Sequence, residues 1–527
     1  MHILFYVPDN EVTRNFLPHL WPFLLQSLTP KEHRVTIIDG NNQHYRPEQL
    51  VNFIVQNQVD LVGMGFMTRM AQSAYRMAAA IRQATTVPIV MGGPHVSAVP
   101  DEPLGLTGHP RCSDAVVVGE ADDIWPLVVR DAASGQLQRV YRPATVAGKE
   151  VKPSLVRYPV IAWEDMDLAP FDLMRFVPAG IKKLLRHFHF NYDKVYGIPV
   201  ETGRGCPYGC DFCTVTGFFG HHLRFRTNEN VIAELLRLKA AAKRNNGLPM
   251  VFFVDDNFAI DRTRTKSLLR DMIRHDACLP WTGQISINLL QDEELVQLIA
   301  ATGGRWLFIG LESVHPDSLK EARKEFNKPA EYKAILTNLA KYDVYAITSF
   351  IFGMEADRPG VARRTIQQIN SWPACLPVFG LLTPYPGTPL YNRLQQEQRL
   401  TRPNHWLDFQ AFKTAFVPKE LSPEEAEDEV RQAWSYCYSP AAFRRAQQWL
   451  VENKKSFGYQ LMHFVSRLLF RGIYFRQMNR WAYLKLLVQN ARTVASLVRS
   501  GFRRRGKQTP VGQLPHTGPV PESPTSP

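Results

Sequence analysis

From its first residues the chain alternates short apolar runs with stretches of helical period. Ile3–Val7, Val35–Asp39, Leu61–Phe66, Ile89–Gly92 and Ala115–Val118 have the length and side-chain content of buried strands, and Ala71–Ala84 is a helix among them. Runs that end in Gly or Asp and lead into helices predict an α/β, doubly wound (Rossmann-like) parallel sheet. The ligand site of such a sheet lies beyond the carboxyl ends of its strands.

This first domain occupies 1–140. A stretch broken by proline, including Tyr158-Pro159 and Ala169-Pro170-Phe171-Asp172, then predicts a linker with short structured pieces over 141–195. A second series follows, with strands expected at Ile198–Thr202, Met250–Asp255, Thr282–Ile287, Arg305–Gly310, Val344–Gly353 and Pro377–Thr383. Between them lie helices such as Asn228–Arg244, capped by Thr227 or Asn228, and Arg262–His275, capped by Asp261. Six strand–helix units suit a partial (β/α)6 TIM-like barrel over 196–400 better than an open sheet, and in either architecture the chemistry sits at the strand carboxyl ends. Beyond it come a helical region over 401–505 and a tail over 506–527, whose Pro, Gly, Ser and Thr predict disorder.

At 527 residues the chain has room for about three domains. An apolar share of 45% with 21% charged residues is ordinary for a protein that buries real cores. Lys and Arg outnumber Asp and Glu by 62 to 49, a formal charge of +13. Such an excess suits a solvated basic surface, nucleic acid, an anionic cofactor or an acidic membrane. No nucleic-acid module accompanies it and basic residues occur along the whole chain, so nucleic acid is not the expected partner.

The opening Met1–Asp9 reads as a strand and not as a signal peptide, and no run has the roughly 18 apolar residues of a membrane span. A cytoplasmic location is therefore expected. Contact with the inner face of a membrane is a further reading of the run Phe457–Arg505, where Arg467, Arg471, Arg476, Arg480, Arg492, Arg499 and Arg503–Arg505 mix with aromatic residues. The other reading of that run is a helix packed on the barrel with a solvated basic face.

Three of the seven cysteines, Cys206, Cys210 and Cys213, stand in a C-x3-C-x2-C loop directly after the first barrel strand. An odd count with this clustering points to a metal or redox site and away from a disulfide framework. Iron–sulfur cubanes usually take four thiolates, so three would leave one iron open to a small molecule. A structural zinc held by the same cysteines with His221 or His222 is the alternative, although zinc sites more often show paired C-x2-C knuckles.

The loop, with the aromatic Phe212 before its last cysteine, resembles that of the radical S-adenosylmethionine superfamily. The resemblance implies a 4Fe-4S cluster on Cys206, Cys210 and Cys213 whose open iron is chelated by the amino and carboxylate groups of S-adenosylmethionine. An electron from a donor such as flavodoxin or ferredoxin then splits the sulfonium into methionine and a 5′-deoxyadenosyl radical. It further implies S-adenosylmethionine contacts from Phe212, from Asp255 or Asp256 where many members carry Gly-Gly-Glu, from Ser286 and Asn288, and from Glu312 toward the ribose. Leu382–Pro389 closes the sixth strand as in these enzymes, and its prolines read equally as a rigid turn.

In the first domain, Gly92-Gly93-Pro94-His95 and Gly119-Glu120 follow parallel strands, whereas Gly63-x-Gly65 is too short to signify. With a barrel behind it, this domain resembles the cobalamin-binding domain of cobalamin-dependent radical S-adenosylmethionine enzymes, the class B radical methylases among them. The likeness runs through Trp406 and the Lys413–Pro418 segment. It implies cobalamin contacts at Thr68, Gly92, Gly93, Pro94, His95, Gly119 and Glu120. The Asp-x-His-x-x-Gly motif that ligates cobalt in many such domains is absent, and Asp39 to His44 has the wrong spacing for it.

The reaction so implied is radical methylation of an unactivated carbon on a small molecule of lipid or pigment type. Ring closure, rearrangement or oxygen insertion without methyl transfer is the alternative within the same layout. An RNA-modifying protein and a non-catalytic iron–sulfur scaffold are the readings from other classes.

Overall fold

The computed structural model describes residues 1–11, 17–176, 182, 186, 192–244, 247–474 and 480–503. Arg476 and the tail expected from residue 506 lie outside them. Six strands, His2–Val7, Arg34–Asp39, Leu61–Gly65, Ile89–Gly92, Ala115–Val117 and Val140–Tyr141, pair in parallel in the order 2-1-3-4-5-6. Ile3 stands opposite both Val35 and Leu61. The first strand is buried on both faces, as a parallel strand covered by helices must be. Leu4 and Tyr6 pack toward Ala74, Met77 and Ala78 of the helix Ala71–Ala84, while Phe5 meets Trp125 on the other face. Strand order reverses between the first and third strands, which opens a crevice beyond their carboxyl ends. The short sixth strand straddles the expected boundary at residue 140.

The linker is more deeply packed than its prolines suggest. Single 3₁₀ turns at Leu155–Arg157, Trp163–Asp165 and Ala169–Phe171 place Leu155, Tyr158, Ile161, Trp163 and Phe171 in the same buried cluster as the barrel strands. Trp163 Nε1 donates to Glu234 Oε1 at 2.7 Å, so the ring is fixed by a hydrogen bond as well as by burial.

The second sheet runs Lys194–Val200, Gly247–Phe253, Trp281–Gln284, Gly304–Glu312, Tyr345–Phe352 and Leu376–Leu381, all parallel and paired in chain order. It is a curled, open half-barrel of six strand–helix units. Thr227 Oγ1 caps the helix Asn228–Arg244 by accepting from Asn230 N at 3.2 Å, and Asp261 caps Arg262–Arg274 by accepting from Arg264 N. The strand expected over Thr282–Ile287 stops at Gln284. Asn257 Oδ1 takes the Ser286 N–H at 3.1 Å and draws the chain out of the ladder into a 3₁₀ turn, Ile287–Gln291.

An open barrel leaves an unpaired edge that must be covered. The helix Pro423–Cys437, opened by the Ser422 and Glu425 capping box, lies against the outermost strand. Trp434 Nε1 donates to Phe379 O and Tyr438 OH to Pro377 O, each at 2.9 Å. Helices Pro440–Glu452, Phe457–Tyr474, Arg480–Gln489 and Ala491–Arg503 follow. Among the described residues no helix is long and apolar enough to cross a membrane.

Candidate active site

Beyond the first barrel strand, a two-residue pairing of Gly203–Arg204 with Arg224–Phe225 closes a loop that carries Cys206, Cys210 and Cys213. Gly205 sits at φ +94 with room for no side chain, since a Cβ there would stand 2.4 Å from His222 O. Cys206 N donates to Gly220 O at 3.3 Å and Cys213 N to Cys210 O at 3.2 Å, which folds the loop back on itself. All three thiols are half-buried, and burial pushes Cys210 up to about 11, Cys213 up to about 12 and Cys206 in the same direction.

Thiols held in this way need a cation to become thiolates. The other four cysteines are elsewhere. Cys112, Cys375 and Cys437 are core residues and Cys278 packs beside the barrel core. Among the described residues no three His, Cys, Asp or Glu side chains are arranged to hold a single metal ion. A donor set of three sulfurs on one loop fits a cubane cluster that keeps one iron open.

Glu312 ends the fourth barrel strand at φ +61, where the register with the next strand slips. Its Oε1 accepts from Lys324 Nζ at 2.5 Å, and both side chains are nearly sealed from water. Burial of Lys324 works against its charge, but Glu312 outweighs this and holds the ammonium above the usual lysine range; Cys210 and Cys213 add to the same effect. Lys324 therefore faces both the carboxylate and the thiol loop, a role that sequence reasoning missed. Arg323 before it adopts φ +53 in an irregular turn, so no periodic pattern marks it.

The other expected contacts divide. Asp255 is a brace: it accepts from Thr202 N at 2.6 Å and Thr202 Oγ1 at 2.5 Å, and burial pushes its carboxyl up to about 6. Asp256 accepts from Gly205 N at 3.3 Å at the base of the cysteine loop, and burial, then the charge of Glu201, pushes it up to about 7. Ser286 is taken up by Asn257, whose Nδ2 donates to its hydroxyl at 2.8 Å. Asn288 donates to Tyr208 OH of the cysteine loop at 3.1 Å, while its buried Oδ1 has no partner. Tyr208 in turn stacks on Phe326 with ring centres 4.0 Å apart. The Phe212 ring packs toward Met354, Leu382 and Phe416.

On the amino-terminal sheet the expected cobalamin contacts are largely engaged within the protein. His95 is buried, with Nε2 3.1 Å from Tyr75 OH and Nδ1 3.1 Å from Thr68 Oγ1. Burial lowers its imidazole to about 3, so it is neutral, and both ring nitrogens are occupied. Gly93 has φ +95, and a Cβ there would meet Phe66 O at 2.8 Å. What approaches this glycine is the neighbouring loop's own backbone. Gly92 ends the fourth strand, Pro94 starts the turn Pro94–Ala98, and Gly119 N donates to Ser97 Oγ at 2.8 Å.

Glu120 turns away from the sheet rim and into the barrel. It accepts from Arg204 Nη1 at 2.7 Å and Arg224 Nη2 at 2.8 Å. Arg204 also forks onto both oxygens of Glu201 at 2.9 Å and reaches Asp122 at 2.8 Å. This buried joint links the end of the fifth sheet strand to the residues just before Cys206. A second joint comes from after the barrel, where Trp406 packs on His95 with ring centres 4.8 Å apart and donates to Glu102 at 2.6 Å.

Four unsatisfied polar atoms lie at the crevice. Asp39 Oδ2, Asn42 Nδ2, Arg69 Nε and Trp21 Nε1 are buried without a partner, all beyond the carboxyl ends of the second and third strands or at the start of the first helix. Orphaned buried donors and acceptors in one place mark where a polar ligand completes the structure. A corrinoid rimmed with amide side chains fits such a set.

Comparisons with known proteins agree with this geometry. The B12 binding domain model matches residues 13–129, the Radical SAM superfamily model 200–359, and a domain of unknown function, DUF4070, 388–502. Bacteriochlorophyllide d C-12(1)-methyltransferase of Chlorobaculum tepidum is 26% identical over 453 residues, 86% of this chain and 89% of that protein. Hopanoid C-2 methylase of Rhodopseudomonas palustris is 26% identical over 390 residues, 73% of this chain and 66% of its own length. The solved structure of the cobalamin-dependent S-adenosylmethionine radical enzyme OxsB, with aqua-cobalamin bound, covers 94% of this chain and 80% of its own at a TM-score of 0.62 and 12% identity, a likeness of fold.

Proposed function

As a radical SAM protein with an amino-terminal B12-binding domain, homologous to the cobalamin-dependent radical SAM methylases, this chain, we propose, methylates an unactivated carbon of an apolar, lipid- or pigment-like small molecule. The observation that carries the reading is the three-thiol loop facing the buried Glu312–Lys324 pair in a chain that also presents orphaned polar groups at the crevice of a B12-binding sheet. The two methylases named above act on a bacteriochlorophyllide and a hopanoid, both large and mostly apolar, and a substrate of that kind is proposed here by similarity.

When bound, the cluster, S-adenosylmethionine and cobalamin would together supply an electron, a hydrogen-abstracting radical and a methyl group. Cys206, Cys210 and Cys213 would hold the cluster. Lys324 offers a buried ammonium to the carboxylate of the methionine moiety, and Glu312, held by Lys324, offers oxygens to ribose hydroxyls. Asn288 Oδ1 is a free buried acceptor for an amino or hydroxyl donor. Asp39, Asn42 and Arg69 would meet the corrinoid's amide groups, and the Glu120 joint would hold the two sites in fixed relation. Aromatic and apolar packing by Phe212, Met354 and Leu382 keeps water from the barrel mouth.

The test is anaerobic reconstitution with iron, sulfide and cobalamin, then reductant, a flavodoxin or ferredoxin, S-adenosylmethionine and candidate substrates. 5′-Deoxyadenosine and S-adenosylhomocysteine should appear together with a product one methyl group heavier. 5′-Deoxyadenosine with a changed product but no S-adenosylhomocysteine would instead assign ring closure, rearrangement or oxygen insertion.

A further inference from the structure

The excess positive charge of this protein has one address. From Asn453 to Pro521 the chain holds 13 Lys and Arg residues and no Asp or Glu, which leaves 49 basic residues against 49 acidic ones in all the rest. Basic residues do occur throughout and shorter unbalanced runs lie elsewhere, but this run alone carries an excess equal to the formal +13 of the whole chain. Part of the local charge is spent inside the fold. Arg467 donates to Cys437 O at 2.7 Å and Cys375 O at 2.9 Å, Arg471 to Tyr438 O at 3.1 Å, and Lys455 pairs with Asp343 at 2.7 Å. The outer helices are different. Among the described residues Lys485, Arg492 and Arg499 meet no carboxylate, and all three are exposed.

Next to these charges lies apolar surface. Helix Arg480–Gln489 docks through Leu486 and Leu487, near Phe443, Phe464 and Leu497, and turns Trp481, Leu484 and Val488 outward. At about 100° per residue these three and Lys485 fall within one arc of roughly 100°. Trp481 is 77% and Val488 68% exposed. On helix Ala491–Arg503, Leu497 and Thr493 face inward while Val498, Arg492 and Arg499 share the outer arc. A tryptophan and aliphatic side chains among unpaired cations match the interface of an anionic bilayer in both polarity and charge.

We propose that this outer face of helices Arg480–Gln489 and Ala491–Arg503 is a docking surface for anionic phospholipid, which holds the protein on a membrane without crossing it. Trp481, Leu484 and Val488 enter the interfacial zone, and Lys485, Arg492 and Arg499 pair with lipid phosphates. The proposal does not depend on the reaction catalysed.

It is tested by sedimentation of the full-length protein with vesicles of phosphatidylcholine alone or of equimolar phosphatidylcholine and phosphatidylglycerol. Binding is expected to the anionic vesicles only, and to weaken as salt shortens the Debye length from about 10 Å toward 3 Å. Lys485→Glu with Arg492→Glu and Arg499→Glu should lower the partition coefficient roughly a hundredfold or more, from about fivefold per basic group near an anionic surface. Trp481→Ala with Val488→Ala should lower it roughly tenfold at unchanged charge. Quenching of tryptophan fluorescence by brominated lipid should be lost in Trp481→Phe.

Absence of binding to anionic vesicles at low salt would overturn the proposal, as would equal binding to neutral ones. So would wild-type binding by the triple variant, or retention on RNA without retention on vesicles. The lipid comparison with the wild-type protein decides the matter even where a variant fails to fold.

Discussion

Two rims of the molecule are built alike and finished differently. Both are carboxyl ends of parallel strands, where α/β folds place their ligands. At the barrel rim most of the polar groups already hold one another: Lys324 has Glu312, Asp255 has Thr202, and Asn257 has Ser286. At the sheet rim the conspicuous residue, His95, is neutral and fully bonded, whereas Asp39 and Asn42 each bond through one polar atom and leave the other, Asp39 Oδ2 and Asn42 Nδ2, buried without a partner, as is Arg69 Nε. The barrel rim pairs its charged groups before any ligand arrives and leaves Asn288 Oδ1 open; the sheet rim leaves a carboxylate oxygen, an amide nitrogen and a guanidinium nitrogen for a ligand to satisfy. The barrel rim should thus fail by loss of chemistry when its residues change, and the sheet rim by loss of stability or of cofactor retention.

The largest effect expected from this contrast is at the barrel. Cys210→Ala removes one of only three thiols on the loop, and reconstituted protein should lose the iron–sulfur absorbance and form 5′-deoxyadenosine at background level. Bound zinc with undiminished activity would refute the cluster. Next is Lys324→Met, which strands the buried Glu312 carboxylate and removes the ammonium near the thiols. Cleavage of S-adenosylmethionine should fall about 10²–10³-fold, in line with removal of one buried electrostatic partner at a reacting centre. Iron content should stay at the wild-type level, and its loss would make Lys324 a support of the cluster loop instead.

Smaller again is the joint between the rims. Glu120→Gln leaves Arg224 without its carboxylate and Arg204 with one fewer, in a site where Glu120 is 1% exposed. Breaking a buried pair from one side costs about 3–5 kcal/mol, and here the remaining Glu201 and Asp122 put the expected loss near the lower end. Denaturant unfolding measures it. The ratio of S-adenosylhomocysteine to 5′-deoxyadenosine should fall as well, because the two cofactor sites are no longer held together. An unchanged ratio would make the joint purely structural.

How much of this was legible in the sequence follows from what each feature depends on. Strands were readable to within a few residues because a parallel strand buried on both faces is a continuous apolar run, as in Ile3–Val7. The exception, Thr282–Ile287, fails at Ser286, where a side chain from the previous loop competes for the backbone. Cysteine chemistry was readable because the donor atom is written in the residue type and its spacing. Lys324 and Arg69 were not, since each is an ordinary basic residue whose neighbours arrive only through tertiary folding. Glu120 follows a strand as its sequence position implies, but its carboxylate turns toward Arg204 and Arg224, more than 80 residues away. The linker's depth is illegible for a related reason: Tyr158 and Trp163 are core residues without helical or strand period, and their partners are more than 70 residues away.

The smallest effect at neutral pH, and the sharpest test of the sheet rim, belongs to His95. Its imidazole is neutral in the folded protein because burial lowers it from the usual 6.5 to about 3. The unfolded chain binds a proton there below about pH 6.5 while the folded one does not, so protons favour unfolding between those two values. Stability from this group is complete above pH 6.5 and falls by about 1.4 kcal/mol per pH unit as pH drops toward 3. His95→Gln keeps a side chain able to bond Thr68 and Tyr75 but cannot titrate. At pH 7 the variant should be about 1–2 kcal/mol less stable, the usual cost of an imperfect replacement at a buried hydrogen bond. Because only the wild type loses stability with acid, the two unfolding curves should converge and cross between about pH 5.7 and pH 5, roughly 0.8 to 1.5 units below the unfolded value. Parallel curves from pH 7 to pH 4 would mean that His95 gains a proton in the folded state, and then the rim is not the sealed, neutral surface that its contacts with Trp406, Tyr75 and Thr68 describe.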